Sequence, residues 1–296
     1  MPSGVCNMSA DMQNIQWFPG HMTKTRRKIQ EILPIIAAVA EIVDARIPIS
    51  SRNPDLLDII KDKPLMILLN KCDMADPKET AKWIDYYKSL GVSAVPIDCK
   101  TGKGIGNFKE MVKTTLADKL EVFRSKGMVG KPLRVMVVGI PNVGKSTFIN
   151  SIAGKGRVKA ENRPGVTRGN QWVTIDKQLE LLDTPGVLWP KFEDQTVGER
   201  LAFTGAVKDA VLDIELLAVR LIENLKENYP ELLVQRYKIE DLEADPYDIL
   251  CEIGKKRGMM IHGGETDTER AANMLLEEYR NCKIGRISLE RVENNA

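Results

Sequence analysis

Gly139-Ile140-Pro141-Asn142-Val143-Gly144-Lys145-Ser146, near the middle of the chain, has the residue types and spacing needed to hold a polyphosphate. The pattern is G-x-x-x-x-G-K-[ST]. Its glycines let backbone N–H groups turn toward the phosphates, and a helix that starts there adds its positive N-terminus. Lys145 is placed to reach the β- and γ-phosphates, and the Ser146 hydroxyl to ligate Mg²⁺. Asn142, Val143, Gly144 and Thr147 complete the candidate phosphate cradle. A second group, Asn70-Lys71-Cys72-Asp73, has the chemistry to read a base. Guanine offers an N1–H and an N2 amino group side by side, and one carboxylate, Asp73, can accept from both. Adenine presents a bare N1 there, so the same carboxylate would face a lone pair, and unmade buried pairing discriminates strongly. Asn70 would serve the opposite edge of the base, and the Lys71 stem would cover its face.

Three further groups belong to the same chemistry. Asp98-Cys99-Lys100 and the following Thr101-Gly102-Lys103-Gly104 form a loop expected to close over the guanine O6 with a backbone N–H from Cys99 or Lys100; taken alone it is an ordinary Gly-rich turn. Residues 154–169 have little periodicity and contain Thr167, the candidate switch threonine that meets Mg²⁺ only when a γ-phosphate is present. Asp183-Thr184-Pro185-Gly186 places Asp183 for the outer shell of Mg²⁺ and the Gly186 N–H for the γ-phosphate. The next residue is Val187, where Ras-type switches carry a glutamine that orients the attacking water. Another group must do that work, or hydrolysis by the protein alone is slow.

The elements that must position these residues follow from the apolar runs. Strands are expected over 35–43, 64–69, 94–97 and 133–138, and a hairpin over 172–175 and 179–182. Helices are expected over 54–61, 77–90, 108–124 and from Ser146 to Ile152. The base-reading group lies at a strand C-terminus, where open α/β sheets bind ligands. Residues 194–200 are polar and expected to belong to a mobile switch region. From about Leu201 helical spacing takes over, through 213–228, 246–257 and 266–279. The domain reading is therefore a short extension at 1–11, expected to be disordered, with Met12 a second candidate start; a nucleotide domain with a basic N-terminal arm at 12–200; and a helical domain at 201–296.

At 296 residues, 43% hydrophobic and 28% charged, the chain can build a sizeable core. A net charge of +2 does not predict nucleic-acid binding for the whole molecule, so any RNA contact must come from local clusters. Two clusters qualify. Lys24, Arg26, Arg27 and Lys28 follow Trp17-Phe18-Pro19-Gly20-His21-Met22 on an expected helix, where a solvated basic face is the simpler reading and a phosphate-contacting arm the sharper one. Lys255, Lys256 and Arg257 end one helix, and Arg280, Lys283 and Arg286 follow another; cations at helix C-termini are common, and RNA binding is the alternative. The five cysteines form no C-x-x-C pair and read as free thiols in a reducing compartment. No apolar run is long enough to span a membrane, and the N-terminus lacks the pattern of a signal peptide.

The motif order is base-reading group, closing loop, P-loop, switch threonine, then Asp-Thr-Pro-Gly. In that order, and with Trp17 to Met22, Asp44-Ala45-Arg46-Ile47-Pro48 and Ser51-Arg52-Asn53-Pro54, the chain resembles the circularly permuted GTPases, most closely the bacterial ribosome biogenesis GTPase A family. The resemblance implies a permuted Ras-like P-loop sheet of about six strands, followed by an all-helical, RNA-binding domain. It implies a cytoplasmic bacterial GTPase that binds the precursor of the large ribosomal subunit and its rRNA in the GTP form and leaves after hydrolysis, monomeric when off the ribosome. His21 matches an N-terminal histidine proposed to assist hydrolysis. Asn142 matches a P-loop asparagine linked to K⁺ in related GTPases. On this reading Lys145, Thr167 and Gly186 act with His21 on the γ-phosphate. Other classes consistent with the residues are an RNA-binding scaffold with GTP as a structural ligand, and a regulatory GTPase acting on a protein partner.

Overall fold

The computed structural model describes residues 27, 29–128, 130–154, 171–184, 194–207 and 213–294. Six strands form one sheet in the order β3-β2-β1-β4-β6-β5. They are β1 (Ala38–Asp44), β2 (Leu65–Asn70), β3 (Ser93–Pro96), β4 (Leu133–Val138), β5 (Gln171–Asp176) and β6 (Leu179–Asp183). All neighbours are parallel except β5, which pairs antiparallel with β6. Parallel sheets need both faces covered, so their strands are apolar throughout. β1 comes close: all seven of its residues are buried and five of them are apolar.

The register brings the chemistry to one edge. Asp44 at the end of β1 lies opposite Asn70 at the end of β2, and Val137 in β4 lies opposite Asp183 at the end of β6. The C-terminal edge of the sheet therefore carries both candidate motifs, as expected for an open α/β fold. Glu41, which interrupts the apolar run of β1, does not break the strand. It is buried and held by Arg52 Nε at 2.9 Å and the Asn53 N–H at 3.4 Å.

The strands are joined by α1 (Leu56–Ile60), α2 (Pro77–Ser89), α3 (Gly106–Thr115), α4 (Ala117–Ser125) and α5 (Lys145–Ala153). The helix expected over 108–124 is two helices, broken where Leu116 leaves the α region at φ −111°, ψ 22°. Buried Leu116 turns into the core there, and α4 has no fully buried residue to hold it in line with α3.

The C-terminal region contains α6 (Gln195–Phe203), α7 (Ile214–Asn228), α8 (Pro230–Tyr237), α9 (Pro246–Lys256) and α10 (Thr268–Arg280). Two features differ from the sequence reading. The stretch from Asp194 is a capped helix, with the Asp194 carboxylate accepting from the Thr196 N–H at 2.8 Å, and it buries Leu201, Ala202 and Phe203. It runs through position 201, so a boundary drawn there would cut a helix. α8 was not anticipated, although Pro230 at its first turn and buried Leu233 and Tyr237 four apart are the usual marks of a short helix. One continuous apolar core runs from Ala40, Ile42 and Val137 of the sheet, through Phe148 of α5, to Leu217, Leu221 and Leu275 of the helical region.

Candidate functional site

Gly144 sits at φ +107°, which a glycine adopts without strain. It has a second reason to lack a side chain: a Cβ there would lie 2.3 Å from Asn70 Nδ2. The two motifs, more than sixty residues apart in sequence, thus meet at this point. Asn70 ties them. Its Nδ2 donates to the Val143 carbonyl at 2.7 Å, and its Oδ1 accepts from the Cys99 N–H at 3.1 Å. One buried amide therefore joins the P-loop, the base-reading strand and the closing loop. An amide nitrogen carries two hydrogens, so a second remains for the edge of a base.

The closing loop is built differently from the expectation. The Cys99 N–H goes to Asn70, and the Lys100 N–H goes to Asp98 Oδ1 at 2.8 Å. Asp98 also accepts from the Thr101 N–H and hydroxyl. Both N–H groups expected at guanine O6 are thus engaged within the protein, one by Asn70 and one by the loop's own Asp98. The Cys99 thiol is buried, and burial pushes it well above the usual thiol range, so it has no nucleophilic part here.

On the phosphate side, Lys145 is buried at the start of α5, and its Nζ donates to the carbonyls of Gly139 at 2.9 Å and Ile140 at 2.8 Å. An ammonium has three hydrogens, which leaves one for a phosphate oxygen. Burial pushes its pKa down to about 8, against the pull of Asp183. A phosphate would restore the charge. Guanine nucleotide binding at pH 8.5 should therefore take up a proton at this group in part of the sites, and in far fewer at pH 6.5. Calorimetry in two buffers of different ionisation enthalpy measures it, and no uptake at pH 8.5 would show that Lys145 is already fully charged before binding.

The Ser146 hydroxyl donates to Asp183 Oδ2 at 3.3 Å, and Asp183 is fully buried. Thr184 anchors the next turn by donating its hydroxyl to the Val137 carbonyl at 2.7 Å. A hydroxyl and a carboxylate side by side at the P-loop are the hard oxygen donors that Mg²⁺ takes beside phosphate and water. Asn142, at φ +59°, turns its Nδ2 to the Gly205 carbonyl at 3.1 Å and so links the P-loop to the turn after α6. Thr147 is exposed on α5. Asp73 is exposed, and it makes no hydrogen bond or ion pair among the described residues. His21, Thr167 and Gly186, with Trp17 to Met22 and Val187, lie outside the described residues.

Lys71 brings in a partner that the spacing alone did not show. At φ +60° it sends its Nζ to Asp44 Oδ2 at 2.9 Å. Burial lowers its pKa, and Asp44 opposes that. Asp44 is also gripped by Arg46, whose Nε and Nη2 reach Oδ1 at 2.9 Å and Oδ2 at 2.8 Å. The Asp44-Ala45-Arg46 turn is thus a buried charge cluster behind Lys71. The C-terminal cations are also engaged within the protein. Arg257 lies 3.6 Å from Glu278, Lys256 pairs with Glu252 at 2.6 Å, and Arg280 donates to the carbonyls of Ala202 and Phe203. Of the cations singled out there, Lys255 and Lys283 are exposed and make no side-chain hydrogen bond or ion pair among the described residues.

A family model described as "50S ribosome-binding GTPase" matches residues 134–251. The chain is 49% identical to the ribosome biogenesis GTPase A of Priestia megaterium, over 93% of this chain and 96% of that protein. It is 31% identical to the Thermotoga maritima protein of that name, over 95% of each. The solved structure of GNP-bound YlqF from T. maritima matches with a TM-score of 0.61 at 27% identity, covering 90% of this chain and 98% of that one. A GDP-bound structure of the same protein matches with a TM-score of 0.60.

Proposed function

Because the chain belongs to the ribosome biogenesis GTPase A family, whose fold is a circularly permuted GTPase, we propose that it hydrolyses GTP while bound to a precursor of the large ribosomal subunit and leaves as GDP forms. The observation that supports the nucleotide part of this reading is the Asn70 bridge, which ties the end of β2 to the P-loop and to the closing loop.

In that site Asp73 accepts from guanine N1–H and N2, and the free Asn70 N–H meets the opposite edge of the base. The P-loop N–H groups and Lys145 hold the phosphates. Ser146, Asp183 and Thr167 would hold Mg²⁺, which supplies positive charge to the β- and γ-phosphate oxygens when bound. Asn142, held through its nitrogen, keeps its oxygen as the atom for K⁺. The Gly186 N–H would meet the γ-phosphate. With an apolar residue at Val187, orientation of the attacking water falls to His21, brought into place by the ribosomal particle.

The connection from nucleotide to helical region is short. Asn142 contacts the Gly205 carbonyl, and Arg280 of α10 grips the carbonyls of Ala202 and Phe203 at the end of α6, just before that glycine. A change at the γ-phosphate can therefore move α10 through two hydrogen-bonded steps. RNA contact is assigned to the basic arm and to exposed Lys255 and Lys283.

The test is GTP hydrolysis in K⁺ buffer with and without large ribosomal subunits, immature particles included. Strong stimulation is expected, and His21→Ala should lose most of it while keeping GTP affinity. Tight binding of GTP with no stimulation by either particle would favour a scaffold that uses GTP as a structural ligand.

A further inference from the structure

The loop that carries Asp73 is short, and its position is not set by its own sequence neighbours alone. Within it, the Met74 N–H reaches back to the Lys71 carbonyl at 2.9 Å, and the Cys72 N–H makes a long 3.3 Å bond to Ile97. Four further backbone groups of 72–76 are taken by a segment more than two hundred residues later. Arg286 Nη2 donates to the Cys72 carbonyl at 2.7 Å, and its Nε donates to the Ala75 carbonyl at 2.9 Å. The Ile287 N–H donates to the Met74 carbonyl at 3.0 Å. The Asp76 N–H donates to the Ser288 hydroxyl at 3.1 Å. The Arg286 guanidinium therefore spans the loop with one carbonyl on either side of Asp73, and its planar fork suits such a two-point grip.

The tail is itself fixed. Gly285 passes so close to α8 that a Cβ would lie 2.7 Å from Leu232 Cδ1. Beyond Ser288, the Leu289 N–H reaches the Arg46 carbonyl at 2.9 Å, and buried Glu290 accepts from the Ile49 N–H at 2.6 Å and from Arg200 at 3.2 Å.

We infer that Arg286 is a positioning residue for guanine recognition: it sets the Asp73 carboxylate in register with the base, so that base selectivity depends on the C-terminal tail. The inference rests on the reading of Asp73 as the guanine-reading carboxylate. Its chemistry is specific. A carboxylate that accepts from both N1–H and N2 must sit within a few tenths of an ångström of the right place to make both bonds. Releasing the Cys72 and Ala75 carbonyls lets that loop shift. GTP then loses two contacts where ITP, which lacks the N2 amino group, loses one.

The experiment compares GTP, GDP and ITP affinities of the full chain with those of Arg286→Ala, Arg286→Lys and the exposed α10 control Glu277→Ala. Arg286→Ala should weaken GTP and GDP alike by about tenfold and ITP by less, so that the GTP-to-ITP preference shrinks. Its hydrolysis rate at saturating GTP should stay at the wild-type value, because the phosphate groups are held by other elements. Arg286→Lys keeps the charge but can reach only one carbonyl at a time. It should fall between Arg286→Ala and wild type, and it preserves the test if Arg286→Ala does not fold. Glu277→Ala should match wild type. An unchanged GTP-to-ITP ratio in folded Arg286→Ala or Arg286→Lys overturns the inference, as does a loss that falls on all three nucleotides by the same factor. A wild-type protein that does not prefer GTP over ITP would instead overturn the reading of Asp73 itself, and with it this inference.

Discussion

Asp73→Asn should lower GTP affinity by about a hundredfold or more and turn the site toward xanthine nucleotides. The carboxylate is expected to accept two hydrogen bonds from guanine, each charge-assisted and worth roughly 1.5–3 kcal/mol. Asparagine keeps one acceptor and places an NH₂ where guanine has its own NH₂, so two donors face each other. Xanthine carries a carbonyl oxygen at that position and accepts from the new amide. The change is clean because Asp73 is exposed and makes no hydrogen bond or ion pair among the described residues, so the fold has little at stake. Titration with GTP and XTP, alongside thermal melting, decides it. Reduced GTP binding with no gain for XTP would mean that Asp73 shapes the loop but does not read the base.

Arg46→Ala should destabilise the protein by about 3–5 kcal/mol, the usual result of removing one partner from a buried ion pair. Arg46 is only 2% exposed, makes two hydrogen bonds to Asp44, and lies 5.3 Å over the Tyr279 ring of α10. Its loss leaves a buried carboxylate with Lys71 as its remaining cation and removes a contact between the sheet edge and the helical region. The melting temperature should drop by about 10 °C. The double variant Asp44→Asn/Arg46→Met should lose less than the sum of its single changes, because each single change strands a charge.

The pH dependence has a definite sign. Burial works against the Asp44 carboxylate, but Arg46 and Lys71 outweigh it and hold its pKa well below the usual carboxylate range. A depressed carboxylate stabilises fully above its unfolded pKa, near ~4, and loses that contribution as the pH falls below it toward the folded value. The stability curves of wild type and Arg46→Ala should thus converge in acid and separate at neutral pH. A variant that melts within a degree of wild type at pH 7 would show that the pair contributes nothing net.

Both predictions concern residues read with different ease from the sequence. Asp73 belongs to a motif whose chemistry is local, since a strand end, an asparagine and a carboxylate three residues on are enough to suggest a base. The P-loop is similar, because its spacing alone dictates a turn of N–H groups at a helix start. Most of the strands were legible for the same kind of reason: buried parallel strands are short apolar runs, and three of the five connections join neighbours in the sheet. Motif order, another property of the linear chain, was enough to suggest the permuted fold.

The tertiary structure decided what pairing across long separations decides. Nothing in the spacing says that Asn70 would spend its amide on Val143 and Cys99, because those partners come from two other loops. The cations after α10 read equally well as an RNA surface or as helix-end charges. Only the fold shows Arg280 on the end of α6 and Arg286 on the loop that carries Asp73. Likewise, a lone aspartate and arginine two residues apart do not announce a buried pair until Lys71 and Tyr279 arrive from elsewhere in the chain. Sequence determined which groups could do chemistry, since type and short-range spacing are local. Structure determined which of them are already occupied by the protein, because a hydrogen-bond partner hundreds of residues away is chosen by packing and leaves no periodic trace in the chain.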